Sequence, residues 1–171
     1  MPTIRRAEDR DLDAILAIHN HAIAHSRAIW TDEPVDRRER EQWLADRHAA
    51  GHPVIVADVD GIVAGYATYA PWRVKSGYRY TVEDSIYLDD AFHGRGIGTL
   101  LLSELIRLAR AAGMRVMLAD IESGNSASIR LHERLGFTRA GFLRQIGTKF
   151  GERLDLVILE LSLEDRSTRP S

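Results

Sequence analysis

The 171-residue chain contains no cysteine. That excludes disulfides, thiolate metal sites and a cysteine nucleophile, and it suits a reducing compartment, so the cytoplasm is the expected location. Long apolar runs are also missing: nothing approaches the ~20 residues of a membrane span. The opening stretch, MPTIRRAEDRD, is charged at once and has no apolar leader region. Charge of one sign is lacking too. The formal net charge of -2 gives no electrostatic reason to expect nucleic acid or a membrane surface as partner. No repeat and no low-complexity segment breaks the chain. What is present is the composition of a globular domain, 44% hydrophobic and 28% charged, with enough length for a sizeable core. One domain is expected over 1–163, with 164–171, EDRSTRPS, as a frayed tail.

Periodicity and punctuation give the element order. TIRRA near the start reads as a strand. Residues 8–26 carry acids in the opening turn and apolar residues at Leu12, Ile15, Leu16, Ile18, Ala22 and Ile23, which predicts a helix. Residues 34–51 start with proline, end with glycine and are highly charged, so a second, mostly exposed helix is expected. Residues 53–72 are two β-rich runs joined by Asp60-Gly61, a hairpin signal. A strand over 78–90 precedes a helix over 96–112. Its apolar face holds Leu101, Leu105, Leu108 and Ala112, flanked by Leu102, Ile106 and Ala109. A strand (114–122), a short helix ending at Gly136 and two final strands (137–161) complete the pattern. The order β-α-α-β-β-β-α-β-α-β-β predicts an α/β fold, a mixed sheet with helices on both faces.

The stretch HGRGIGTLLL places Gly94, Gly96 and Gly98 at a helix start, where glycine has no propensity advantage. A helix N-terminus offers unpaired N–H groups and partial positive charge, a site for phosphate if the backbone can be approached closely. Arg95 adds a cation. A plain connecting turn is one alternative. A dinucleotide loop is another, with Asp120 at the distance of a ribose-binding acid. Against that stand the G-x-G-x-G spacing, the long DDAFH approach and the short remaining chain. A Walker loop lacks its Gly-Lys-Ser/Thr.

HGRGIGTLLL resembles the pyrophosphate loop of the GNAT acetyltransferases, with His93 where that family usually has Gln or Arg. NSASIRLHERLGF and the whole element order resemble the family as well. TVEDSIYL, IESGNSASIRLHERLGF and GTKFGERLDL are most similar to its phosphinothricin and methionine sulfoximine branch. The resemblance implies a splayed sheet of about seven strands, acetyl-CoA as cosubstrate, a small amino acid substrate and a homodimer; no metal is expected. It implies backbone pairing of the cofactor with Ile86, Tyr87 and Leu88. The loop Gly94, Arg95, Gly96, Ile97, Gly98 and Thr99 would hold the pyrophosphate, with Asn125 and Ser128 also at the cofactor.

Amine acetylation needs a base for the ammonium, polarisation of the thioester carbonyl and a proton for the departing thiolate. Strand alternation sets Glu83, Ser85 and Tyr87 on one face and Asp84 and Ile86 on the other. By resemblance Glu83, Asp84 and Ser85 line the acceptor site, and Glu83 matches the base. His132, at helical spacing from Asn125 and Ser128, is the second candidate and is expected to point the same way; its alternative is a packed histidine. Trp30 falls where the branch has an aromatic pocket wall. Arg73, Val74 and Lys75 match the acceptor-binding loop, and Arg73 is suited to a substrate carboxylate. Val74, Lys75 and Arg153 depart from the branch pattern. His21 and His25 have metal-ligand spacing, but no third ligand completes a site. With no cysteine and no G-x-S-x-G elbow, direct transfer is expected. A protein acetyltransferase and a catalytically silent CoA-binding module are the other readings.

Overall fold

The computed structural model describes residues 1–164; the 165–171 part of the expected tail lies outside the described residues. Among the described residues are seven strands, β1 (Thr3–Arg6), β2 (Val54–Val59), β3 (Ile62–Pro71), β4 (Thr81–Leu88), β5 (Val116–Glu122), β6 (Thr138–Lys149) and β7 (Glu152–Ser162). Four α-helices accompany them: α1 (Leu12–His25), α2 (Arg37–Ala49), α3 (Ile97–Ala111) and α4 (Ser126–Arg134). The strands form one sheet in the order β1-β2-β3-β4-β5-β7-β6.

Alternation along β2 shows why VIVADV is apolar without a break. Val54 and Val56 pack with Leu12, Ile15, Ile18 and Leu44 of α1 and α2. Ile55 and Ala57 pack on the opposite face with Leu101, Leu102 and Leu105 of α3. Both faces of the sheet are covered, so both sets of side chains must be apolar. Truncating one of these buried leucines to alanine costs about 2–5 kcal/mol. The buried stripe of α3 is Leu101, Leu102, Leu105, Ile106 and Ala109, whereas Ala112 is exposed. The face is therefore rotated from the expected one.

Helix α2 begins three residues after Pro34. Asp36 caps it by accepting from the Glu39 N–H, and Asn20 holds Val35 extended by bonding both its N–H and its carbonyl. Nor is α2 merely a solvated helix: Arg40 and Leu44 are buried, and the Arg40 guanidinium lies 4.5 Å from the centre of the Trp43 ring.

The joint between the two halves of the sheet creates the site. β4 and β5 are parallel and pair only at Thr81–Val116, Val82–Met117 and Glu83–Leu118. Beyond that point β4 stays with β3 as far as Leu88, and β5 stays with β7 as far as Glu122. The facing edges of 84–88 and 119–122 have no strand between them, so the sheet opens into a V.

Candidate active site

The V continues into a cleft of about 800 Å³. Its walls are the end of α1 with the residues that follow it (His21 to Ala28), the edge of β4 (Ile86, Tyr87 and Leu88), the glycine loop and α4. The first intrahelical bond of α3 runs from Leu100 N–H to Gly96 O, which leaves the N–H groups of Ile97, Gly98 and Thr99 without an acceptor inside the helix. Gly94 and Gly96 have φ of 74° and 77°, a left-handed backbone that glycine adopts freely, and a Cβ on either would meet only open space. The start of α3 thus presents bare backbone donors to the cleft, a fit for an anionic pyrophosphate.

Three members of the loop behave differently from the sequence expectation. A Cβ on Gly98 would lie 3.1 Å from Leu131 Cδ2 and 3.7 Å from Leu88 Cδ1. Gly98 is needed for close packing of α3 under α4 as well as for an open backbone. Ile97 is buried and offers only its N–H. Arg95 is exposed, its guanidinium 5.1 Å from the centre of the Phe92 ring, and it is not on the cleft lining.

On β4 the alternation is as expected. The Glu83–Ser85–Tyr87 face looks toward α1 and α2, where Tyr87 and Tyr66 stack at 5.4 Å and the Tyr66 hydroxyl meets His19 Nδ1 at 2.9 Å. Burial, aided by the charge of Arg40, pushes the His19 pKa down to about 4, so this imidazole is neutral. Burial raises the carboxyl of Glu83 to about 7, and the like charges of Asp120 and Asp84 push the same way. Counting on from the Glu83–Leu118 pair, Asp120 stands level with Ser85 on the Glu83 face. Burial and Asp84 raise Asp120 as well, while the positive charge of Arg73 opposes them. Asp120 and Glu83 therefore share the mouth of the V, and the charge of Arg73 reaches Asp120.

The opposite face of β4 carries Asp84, which is buried; like Glu83 and Ser85 it is not on the cleft lining. Its Oδ1 lies 3.1 Å from Nε2 of His132, itself 3% exposed. His132 Nδ1 donates to the Ser128 carbonyl at 2.8 Å. Burial works against the charged imidazole, but the Asp84 hydrogen bond and charge outweigh it, and the His132 pKa is raised. Both ring nitrogens are thus occupied as donors. His132 does not point with Ser128 into the cleft, because Ile129 and His132 form the buried face of α4 and Phe137 packs on the imidazole at 4.9 Å. The cleft instead sees the stripe Ala127, Arg130, Leu131 and Arg134, with Asn125 and Ser128 at its start. Asn125 caps α4 by accepting from the Ser128 N–H.

The Arg73, Val74 and Lys75 loop is exposed, and Arg73 lies over Trp72 at 4.3 Å. Trp30 is half-buried, donates from Nε1 to the Arg27 carbonyl and packs on Gly147 rather than on the cleft lining. His21 pairs with Asp90 at 2.8 Å. Sequence reasoning missed Glu122, Arg130 and Arg134 on the cleft, although Arg130 and Arg134 have the i, i+4 spacing of a shared helix face. It also weighed Asp120 only as a ribose acid.

Known proteins share this architecture. Residues 15–137 match the model of the acetyltransferase (GNAT) family. The L-methionine sulfoximine/L-methionine sulfone acetyltransferase of Salmonella typhimurium is 48% identical over 96% of each chain. The phosphinothricin N-acetyltransferase of Alcaligenes faecalis is 38% identical over 97% of this chain and 85% of its own. An acetyltransferase structure from Salmonella typhimurium with its cofactor acetyl-CoA superposes with a TM-score of 0.95 at 47% identity, covering 100% of this chain and 98% of the other. A ribosomal-protein-alanine N-acetyltransferase structure from Brucella melitensis gives 0.93 at 46% identity, covering 94% and 99%. With a family match across most of its length and relatives of this identity, the chain belongs to the acetyltransferase (GNAT) family.

Proposed function

We propose that the protein transfers the acetyl group of acetyl-CoA directly to the α-amine of a small amino acid analogue of the methionine sulfoximine, methionine sulfone or phosphinothricin type. The observation that carries this reading is the splayed β4–β5 joint: it leads into a cleft where a helix N-terminus presents bare N–H groups, and it carries on β4 the half-buried Glu83 carboxyl, which burial raises to about 7. The names of the Salmonella and Alcaligenes relatives support the acceptor class.

Acetyl-CoA, when bound, supplies the acetyl group as a thioester. The N–H groups of Ile97, Gly98 and Thr99 hold its pyrophosphate, and the free edge of β4 at Ile86, Tyr87 and Leu88 pairs with its arm. Arg73 takes the acceptor carboxylate. Glu83, ionised above pH 7, removes the proton that the ammonium must lose before its nitrogen can form the amide bond. The second amine proton leaves as the carbon–sulfur bond breaks and ends on sulfur. His132, held between Asp84 and Ser128, fixes α4 against β4 instead of serving the sulfur. The protein is expected in the cytoplasm, as a homodimer; exposed Phe142, Leu143 and Ile146 on the edge strand β6 support the dimer.

Acetylation of a protein N-terminal amine is the second reading, favoured by the name of the Brucella neighbour. A thiol-release assay decides between them. Methionine sulfoximine and methionine sulfone should be acetylated ahead of phosphinothricin, their methyl esters poorly, and Arg73→Ala should harm the free acids most. Acetylation of peptides alone, or of esters as readily as acids, would overturn the small-acceptor reading.

A further inference from the structure

Lys149, at the end of β6, is 1% exposed and has no part in the chemistry above. Its ammonium donates to the Thr31 carbonyl, lies 3.6 Å from the exposed carboxylate of Asp32 and sits 4.8 Å from the centre of the Phe150 ring. Taking an ammonium out of water is costly, and an apolar side chain of similar volume would serve a core at least as well. What methionine cannot do is hold a carbonyl. The Thr31 contact is therefore the feature that calls for lysine.

Thr31 belongs to the connection between α1 and α2. That segment leaves α1 at Ser26 and returns to it at Val35, where Asn20 grips both backbone groups. Its ends are thus fixed to the β1–β4 half of the sheet, on which α1 packs. Its tip is fixed to the other half. Trp30 lies so close to Gly147 that a Cβ there would fall 2.1 Å from the indole. Arg27 pairs with Glu152 at 2.5 Å. Gly147, Lys149 and Glu152 all belong to the β6–β7 hairpin. The segment is a compact loop that spans the V opened between β4 and β5, and its stem, Ser26 to Ala28, forms part of the cleft wall.

We propose that Lys149 is a positioning residue. Through Thr31 it locks the 26–32 loop across the splayed sheet and so sets the Ser26–Ala28 wall of the cleft, the side on which we place the acceptor. Trp30 packed on Gly147 is the apolar half of the same lock, and Arg27–Glu152 is an exposed, weaker tie. This rests on the acetyltransferase reading only for the identity of the acceptor.

The test compares full-length wild type, Lys149→Met and Lys149→Arg. Amide hydrogen exchange is followed by mass spectrometry over a peptide covering 26–36, and kinetics are measured with whichever acceptor the wild type takes. In Lys149→Met, exchange of that peptide should quicken at least tenfold while peptides from α3 and β4 stay unchanged. KM for the acceptor should rise at least fivefold, with kcat and the Kd for acetyl-CoA within twofold of wild type. Lys149→Arg should recover most of both effects, since it can still donate to the carbonyl. Unchanged exchange in Lys149→Met would overturn the proposal, as would faster exchange without a change in acceptor KM. A general loss of protection across the whole chain would mark Lys149 as a fold residue and overturn it too. If methionine sulfoximine is not a substrate but a peptide is, the small-acceptor reading fails while the exchange and the peptide KM still judge the lock.

Discussion

The two faces of β4 carry acids one residue apart and treat them in opposite ways. On one face Asp84 is buried against His132, whose second nitrogen is tied to Ser128, so each group is held by the other. On the other, Glu83 is partly buried with the charges of Asp120 and Asp84 acting on it, no hydrogen bond offsets that burial, and its pKa rises to about 7. A paired acid and imidazole cannot readily exchange protons with a substrate; an unpaired carboxyl poised at neutrality can. Strand alternation alone separates the two roles. It places the fixed charge behind the sheet and the mobile proton at the mouth of the V.

Breaking the buried pair should have the largest effect. Asp84→Ala leaves a desolvated imidazolium without its counter-charge, which costs about 3–5 kcal/mol. For a chain of this size the melting temperature should fall by roughly 10 °C in thermal unfolding. The sign with pH follows from the raised His132 value: the pair's contribution is whole below the ordinary histidine range near 6.5 and fades as pH climbs through the raised value. The difference between wild type and Asp84→Ala should therefore shrink in alkaline buffer.

Removing the poised acid should leave the fold intact and strike turnover. Glu83→Gln should lower kcat by roughly 10²-fold, the usual scale for a lost general base. Acetyl-CoA affinity by calorimetry should hardly move. Loss confined to cofactor binding would make Glu83 a structural residue. Stability should respond in the opposite sense to that of Asp84→Ala. The Glu83 carboxyl holds its proton more tightly folded, at about 7, than at its ordinary value of 4.5. Its contribution is present below about pH 4.5 and lost as pH rises through about 7. Glu83→Gln should then melt slightly higher than wild type at pH 8 and no higher at pH 4. Partial solvent exposure keeps that gain small.

A smaller effect separates the two kinds of glycine in the loop. Gly98→Ala puts a methyl 3.1 Å from Leu131 and should be accommodated by a shift of that side chain, weakening acetyl-CoA binding by a few-fold. Gly96→Ala forces alanine into a left-handed backbone at the cap of α3, which strains the loop itself. Calorimetric binding should show the larger loss for Gly96→Ala.

These contrasts also mark what the sequence could and could not disclose. The element order, the Asp60-Gly61 hairpin and the alternation along TVEDSIYL follow from local chemistry, and all are found in the structure. The nature of the Asp84 face does not. A helical stripe of Asn125, Ser128 and His132 is legible, but which side of α4 turns to the sheet depends on burying Ile129 and His132 with Phe137 and on the His132–Asp84 contact, which is made across a long sequence separation. Asp120 reads as an ordinary strand acid until the V brings it level with Ser85. Lys149 gives no signal at all, because a buried lysine cannot be told from a solvated one by pattern.

The central claim, that Glu83 is the poised acid of β4, is tested most directly by titrating its side-chain carboxyl. Carbon-13 NMR of the glutamate-labelled protein, with Glu83→Gln used to assign the resonance, should show a midpoint near pH 7, where burial and the neighbouring carboxylates place it. A midpoint near 4.5, the ordinary glutamate range, would contradict the account and remove Glu83 as a base tuned for neutral pH.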